Sequence, residues 1–213
     1  MKKHIVCFGD SNTHGYCADP ADNADHGDRF NEDERWTCLL QKKLGDEYLV
    51  IEEGLSGRTT VFPDPLHECM SGLDVIYSTL MSHEPVSLLI IMLGTNDTKD
   101  RLGASAACIG IGMERLAMKA ETVLAWKDKK TNILIIAPPH IGAGLNDAAM
   151  GVHCHEKSLG VAEEYRQRCA MHGWAFLDAE GLAEFNKIDF MHLTAKGHRQ
   201  LSDKLAELVP ELC

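Results

Sequence analysis

Ser87-Leu88-Leu89-Ile90-Ile91-Met92-Leu93, followed at once by Gly94-Thr95-Asn96-Asp97, decides the fold. The apolar run is continuous rather than alternating. A strand with one face in water alternates, whereas a strand covered on both faces does not have to, so this run reads as an interior strand of a parallel sheet. Residues 132–137, Asn-Ile-Leu-Ile-Ile-Ala, repeat the pattern. Working outward, residues 4–8, 48–52 and 174–177 supply three more short apolar runs. Helical spacing fills the gaps. Residues 35–44 carry Trp36, Leu39, Leu40 and Leu44 on one face, and helices are expected over 72–81, 104–127 and 157–172. A last helix over 195–208 has Leu201, Leu205 and Leu208 in register behind Thr194 as N-cap. Strands alternating with helices predict an α/β fold built on a doubly wound parallel sheet of five strands.

The chain has 213 residues, 45% hydrophobic and 25% charged, which suits one domain over 1–213 with a sizeable core. Its formal net charge of -11 repels phosphate backbones and anionic lipid, so neither nucleic acid nor membrane is an expected partner. No apolar stretch approaches the roughly 20 residues that a spanning helix needs. Met1-Lys2-Lys3 opens like a signal peptide, but the apolar run behind it stops at Gly9-Asp10-Ser11, which favours a first strand and a cytoplasmic location. The eight cysteines form no C-x-x-C pair and read as plain thiols. Two connections, 16–34 and 138–156, are long enough to suggest functional loops.

In open parallel sheets, ligands bind beyond the carboxyl ends of the strands, where strand order reverses. The chemically distinctive residues all fall there. Gly9-Asp10-Ser11 follows the first strand, Gly54 through Thr60 the second, and Gly94-Thr95-Asn96-Asp97 the third. Asp189-Phe190-Met191-His192 precedes the last helix. With a strand order of 2-1-3-4-5, these segments converge on one crevice. Each alone has a plainer reading. Gly-Asp-Ser and Gly-Thr-Asn-Asp are common turns and caps, and Asp189 with His192 could be a local capping pair. Their joint placement favours an active site. A serine hydroxyl needs a base, histidine serves as one near neutrality, and a carboxylate on the far ring nitrogen fixes its tautomer. The candidates are Ser11 as nucleophile, His192 as base and Asp189 as orienting acid. The N–H groups of Ser11 and Gly57 and the amide of Asn96 are candidate oxyanion donors, and glycine at 57 lets the backbone approach substrate closely.

Gly9-Asp10-Ser11-Asn12-Thr13, Gly57, Gly94-Thr95-Asn96-Asp97 and Asp189-x-x-His192, in that order, resemble the SGNH (GDSL) hydrolases. Arg35-Trp36-Thr37, the stretch from Glu52 to Thr60 and the stretch from Ile90 to Lys99 are closer to the arylesterase/acyltransferase (perhydrolase) branch. The resemblance implies a flavodoxin-like three-layer α/β/α sandwich. It implies a serine esterase acting on short-chain, acetyl-like esters through an acyl-enzyme, with acyl transfer or perhydrolysis as further activities and no cofactor or metal. It also implies a homo-oligomer, an octamer among the forms, whose neighbouring subunits narrow the entrance. A carbohydrate O-deacetylase, a lysophospholipase or thioesterase, and a non-catalytic ester- or carbohydrate-binding module are the alternatives. Asn12 departs from the leucine of many relatives, a change expected at the floor of the acyl pocket, and 138–156 does not match the branch clearly.

His153-Cys154-His155, with His26 and His140, could suggest a metal cluster, but side chains at consecutive positions do not converge in regular structure. Gly110-x-Gly112 lies inside a helical stretch, not after a strand, so it is not a dinucleotide fingerprint. The acidic residues within 19–34 read as a solvated loop.

Overall fold

The structure, a computed structural model, describes residues 1–127 and 130–213. Five strands form one parallel sheet: β1 (Lys3–Gly9), β2 (Tyr48–Gly54), β3 (Val86–Met92), β4 (Ile133–Ala137) and β5 (Ala175–Asp178). Their order is β2-β1-β3-β4-β5, so the switch point lies between β1 and β3. Helices follow in sequence: α1 (Ser11–His14), α2 (Trp36–Leu44), α3 (Gly72–Ser82), α4 (Ala106–Glu121), α5 (Cys154–Ser158), α6 (Val161–His172) and α7 (Ala195–Leu212).

The continuous apolar strands are explained by what covers them. Ile5, Cys7, Leu88, Ile90, Leu134 and Ile136 face one layer with Trp36 and Leu40 of α2 and Leu201, Leu205 and Val209 of α7. Val6, Phe8, Leu89, Ile91, Ile133 and Ile135 face the other, with Ile76 and Leu80 of α3, Met113 and Leu116 of α4, and Tyr165 of α6. Neighbouring residues point to opposite faces, and both faces are dry. The result is the three-layer sandwich that the family resemblance implies.

Helix boundaries differ from the periodicity: the last helix, expected over 195–208, runs on to Leu212, and two other stretches break early. The expected helix over 157–172 is two helices, α5 and α6, with Gly160 between them. The expected helix over 104–127 stops at Glu121, and the Trp126 indole N–H folds back to donate to the Ala120 carbonyl at 2.9 Å. That bond satisfies a carbonyl at the helix end, so the chain turns where apolar spacing alone would have carried it on.

Two glycines set up the crevice. Gly9 and Gly54 are register partners at the ends of β1 and β2. A Cβ on Gly9 would lie 2.0 Å from Thr13 Oγ1, and one on Gly54 would lie 2.2 Å from the His14 nitrogen. Only without those carbons can α1 lie across the strand ends.

The two long loops are packed rather than loose. Cys17 and Phe30 from the first form a small core with Ala195, and Asp22 caps α7 by accepting the Ala195 N–H at 2.7 Å. Much of 19–34 is exposed, but Asn23 is buried and donates to the carbonyls of Gly27 and Arg29. The second loop builds on Ile141, Met150 and Cys154. Among the described residues no helix is long and apolar enough to cross a membrane, and Cys7, Cys17, Cys38, Cys69, Cys108, Cys154 and Cys169 are free thiols.

Candidate active site

Ser11 opens α1 directly beyond β1, and Asp10 caps that turn by accepting the Asn12 N–H at 2.9 Å. His192 reaches it from the loop between β5 and α7. His192 Nε2 lies 2.8 Å from Ser11 Oγ, and Nδ1 lies 2.6 Å from Asp189 Oδ2. The arrangement assigns the tautomer: Nδ1–H donates to the carboxylate, leaving Nε2 to accept the serine hydroxyl proton.

Asp189 is itself held. Its Oδ1 accepts from Asn186 Nδ2 at 2.9 Å and from the N–H groups of Met191 and His192 at 3.1 and 3.2 Å. Burial would push this carboxyl up, but the His192 hydrogen bond and charge, with the Met191 and Asn186 donors, hold it below the usual carboxylate range. Asp189 therefore stays ionised opposite the imidazole. Tyr16 covers the other side of that ring, at 4.6 Å between centroids and tilted by 56°.

The two remaining candidates, Asn96 and Gly57, come from two loops, after β3 and after β2. Asn96 follows β3 and donates from Nδ2 to Asp10 Oδ2 at 3.3 Å, which orients its amide toward the crevice. Asp10 is wholly buried, and burial raises its carboxyl despite the opposing Asn12 N–H and the charges of His192, Arg58 and Lys99. Gly57 sits after β2 at φ +93°, a conformation glycine adopts without strain. Neither the Ser11 nor the Gly57 N–H finds a hydrogen-bond partner among the described residues. Neighbouring side chains brace these loops. Asp97 accepts from the Thr60 N–H and hydroxyl, tying the loop after β3 to the loop after β2. Arg58 lies 4.1 Å over the Phe8 ring and donates to the Gly9 carbonyl at 2.9 Å and to that of Glu53.

Ser11, Gly57, Asn96, Asp189 and His192 line one cleft of about 590 Å³, which Tyr16, Ser56, His67, Asp147 and Met191 complete. The structure thus brings every candidate from the motifs together. It also adds residues that the motifs did not single out. Tyr16, His67 and Asp147 lie in long or irregular segments with no periodicity to place them. The expectation for Asn12 is corrected. Its side chain is not at the pocket floor; it is 2% exposed and bonded to the backbone on either side of His192. The histidines considered for metal have other partners. His153 pairs with Asp100 at 2.9 Å, His155 is 2.6 Å from the Ile141 carbonyl, and Cys154 is buried against Thr98 and Met150.

A serine, imidazole and carboxylate in line, at the switch point of a parallel sheet, are an arrangement suited to a serine hydrolase. The family is shown by comparison: the chain belongs to the GDSL-like lipase/acylhydrolase family, whose model matches residues 7–200. It is similar to the aryl esterase of M. smegmatis, at 33% identity and TM-score 0.89 over 99% of this chain and 100% of that one. It is similar to a carbohydrate acetylesterase from Sinorhizobium meliloti, at 32% identity and TM-score 0.89 over 100% of both chains. A third neighbour is a putative arylesterase from Agrobacterium tumefaciens, at 33% identity and TM-score 0.87 over 99% of this chain and 100% of that one. No curated protein sequence matches at a significant level. Family and neighbours make the chain a carboxylic ester hydrolase of the SGNH type.

Proposed function

We propose that the protein hydrolyses short-chain, acetyl-like carboxylic esters through an acyl-enzyme on Ser11. The observation that carries this reading is the unbroken line from Ser11 Oγ through His192 to Asp189, at 2.8 and 2.6 Å, opening on the cleft. As Ser11 Oγ attacks the ester carbonyl carbon, its proton passes to His192 Nε2, and Asp189 stabilises the imidazolium without taking a proton. The carbonyl oxygen becomes an anion, and the N–H groups of Ser11 and Gly57 with the Asn96 amide are suited to receive it. Collapse expels the alcohol, which leaves with the proton from His192. Water then repeats the sequence on the acyl-enzyme and releases the acid. If an alcohol or peroxide takes the place of that water, the same steps give acyl transfer or perhydrolysis.

Residues 1–213 act here as one catalytic domain, and free thiols such as Cys7, Cys69 and Cys108 suit a reducing cytoplasm. A homo-oligomer, with an octamer among its forms, fits the exposed Leu66 and Ile188, which adjoin the cleft residues His67 and Asp189. A carbohydrate acetyl ester is the second reading of the substrate. The polar cleft residues Ser56, His67 and Asp147 favour it, since they offer hydrogen bonds to a hydroxylated alcohol.

A fluorophosphonate should label the protein once per chain, and Ser11→Ala should abolish both labelling and about 10⁴-fold or more of the ester turnover. Labelling that persists in Ser11→Ala would remove Ser11 from the reaction. p-Nitrophenyl esters from acetate to dodecanoate, alongside acetylated sugars, separate the substrate readings.

A further inference from the structure

We propose that Asn12 is a positioning residue that sets the separation of Ser11 and His192. The inference rests on the function just proposed, since it assigns Asn12 a role within that site. Its carboxamide spans the backbone on both sides of the histidine: Oδ1 accepts the Leu193 N–H at 2.9 Å, and Nδ2 donates to the Met191 carbonyl at 3.1 Å. One donor and one acceptor face one acceptor and one donor, so only one orientation of the amide satisfies both bonds. Asn12 is buried and its bond to Leu193 wholly so, and low-dielectric surroundings strengthen a satisfied pair of bonds.

Asn12 can act as a reference point because it is fixed. Its N–H is taken by Asp10 Oδ1 at 2.9 Å, and its carbonyl accepts the Trp36 indole N–H at 3.1 Å. Apart from the His192–Ser11 bond itself, the other bonds that shape the histidine segment do not reach the nucleophile. Asn186 donates to the His192 carbonyl from its backbone N–H at 2.8 Å and from Nδ2 at 2.9 Å. The Gly142 N–H donates to the Phe190 carbonyl at 2.8 Å. Those contacts orient the loop internally or fasten it to 138–150. The Asn12 clasp joins it to α1, one residue from Ser11. Phe190, between Asp189 and His192, holds the strained φ of +62°, so the loop has reason to relax once the clasp is gone.

Asn12→Leu keeps the four-atom branched outline, with bulkier methyl groups, and removes both bonds. Asn12→Asp keeps an acceptor for Leu193 but offers the Met191 carbonyl no donor when ionised. Kinetics are read per site titrated with fluorophosphonate, so a partly folded sample still reports. Asn12→Leu should lose about 10²-fold in kcat with KM nearly unchanged, the scale expected when a catalytic group shifts by about 1 Å. Asn12→Asp should fall between it and wild type. Both should still label once per chain, but slowly. Their kcat/KM should go on rising with hydroxide where the wild type has levelled, because solvent base then competes with a displaced imidazole. A merely structural residue would lower the melting point and leave kcat and the pH profile per titrated site untouched, which overturns the proposal. Failure of both variants to give any titratable site overturns it as well, since Asn12 is then a folding determinant. Ser11→Ala and His192→Ala run alongside. If these are inactive while both Asn12 variants behave as wild type, the positioning role alone is lost. If Ser11→Ala still labels, the function itself is wrong.

Discussion

Acidification should cost stability at His198, a buried ring behind Trp36. This ring is 0% exposed, and its Nδ1 accepts the Trp36 backbone N–H at 3.2 Å. Phe30 meets it edge-on at 4.8 Å between centroids. An accepting Nδ1 means a neutral ring with its proton on Nε2. Burial, with the charges of His192 and Arg35, lowers its pKa from 6.5 to about 3. The unfolded chain therefore binds a proton below about pH 6.5 that the folded chain refuses until about pH 3. Stability from this group is complete above 6.5 and drains as pH falls. Linkage with those values gives a loss of about 2 kcal/mol between about pH 7.5 and about pH 5. Asp97 works the other way. Burial lifts it from 3.8 to about 6, ahead of the opposing Thr60 hydrogen bonds, so the folded state holds its proton more tightly. The same descent in pH then returns about 1.4 kcal/mol. The two partly cancel in the wild type, so the comparison must be with a variant that lacks only the histidine's titration. His198→Asn keeps an oxygen near Nδ1 for the Trp36 N–H and does not titrate there. Urea unfolding of both proteins at the two pH values should show the wild type losing about 2 kcal/mol more than His198→Asn. Parallel curves, with a constant gap between them, would mean that His198 is not held neutral and would refute the reasoning.

Three further outcomes follow from the site. Asn96→Ala should lower kcat by about 10²–10³-fold with little change in KM, since the amide serves the oxyanion more than the ester; normal kcat with a lower melting point would make Asn96 a structural partner of Asp10 alone. Asp189→Asn should slow turnover by up to about 10⁴-fold, somewhat less than Ser11→Ala, by favouring the wrong imidazole tautomer; Asp178 is no substitute, because it is engaged by Arg166 and the Glu180 N–H. Gly142→Ala would place a Cβ 2.9 Å from Phe190 Cβ, and the backbone must shift to relieve it; about 1–3 kcal/mol of stability should go, with a fall in kcat per titrated site, read by thermal melt and active-site titration.

What the sequence determined by itself was whatever is periodic or local. Leu88 through Met92 declared a doubly covered strand, and alternation with helical spacing declared the layers. Gly-Asp-Ser, Gly-Thr-Asn-Asp and Asp-x-x-His offered Ser11, Asn96, Asp189 and His192 as candidates, because each chemistry needs its own residue types beyond the strands' carboxyl ends. Gly160 and Trp126 show where that reading ends: one separates α5 from α6, and the other turns the chain through a bond that spacing does not encode. Only the tertiary structure decided what a lone polar residue touches. Asn12 is adjacent to Ser11 in sequence, yet its side chain is fixed by residues 191 and 193, and Asp97 is fixed by Thr60. No repeat or spacing records such a pairing. It arises because folding buries donors and acceptors from distant segments together, and each buried group must be satisfied by whichever partner the packed layers bring within reach.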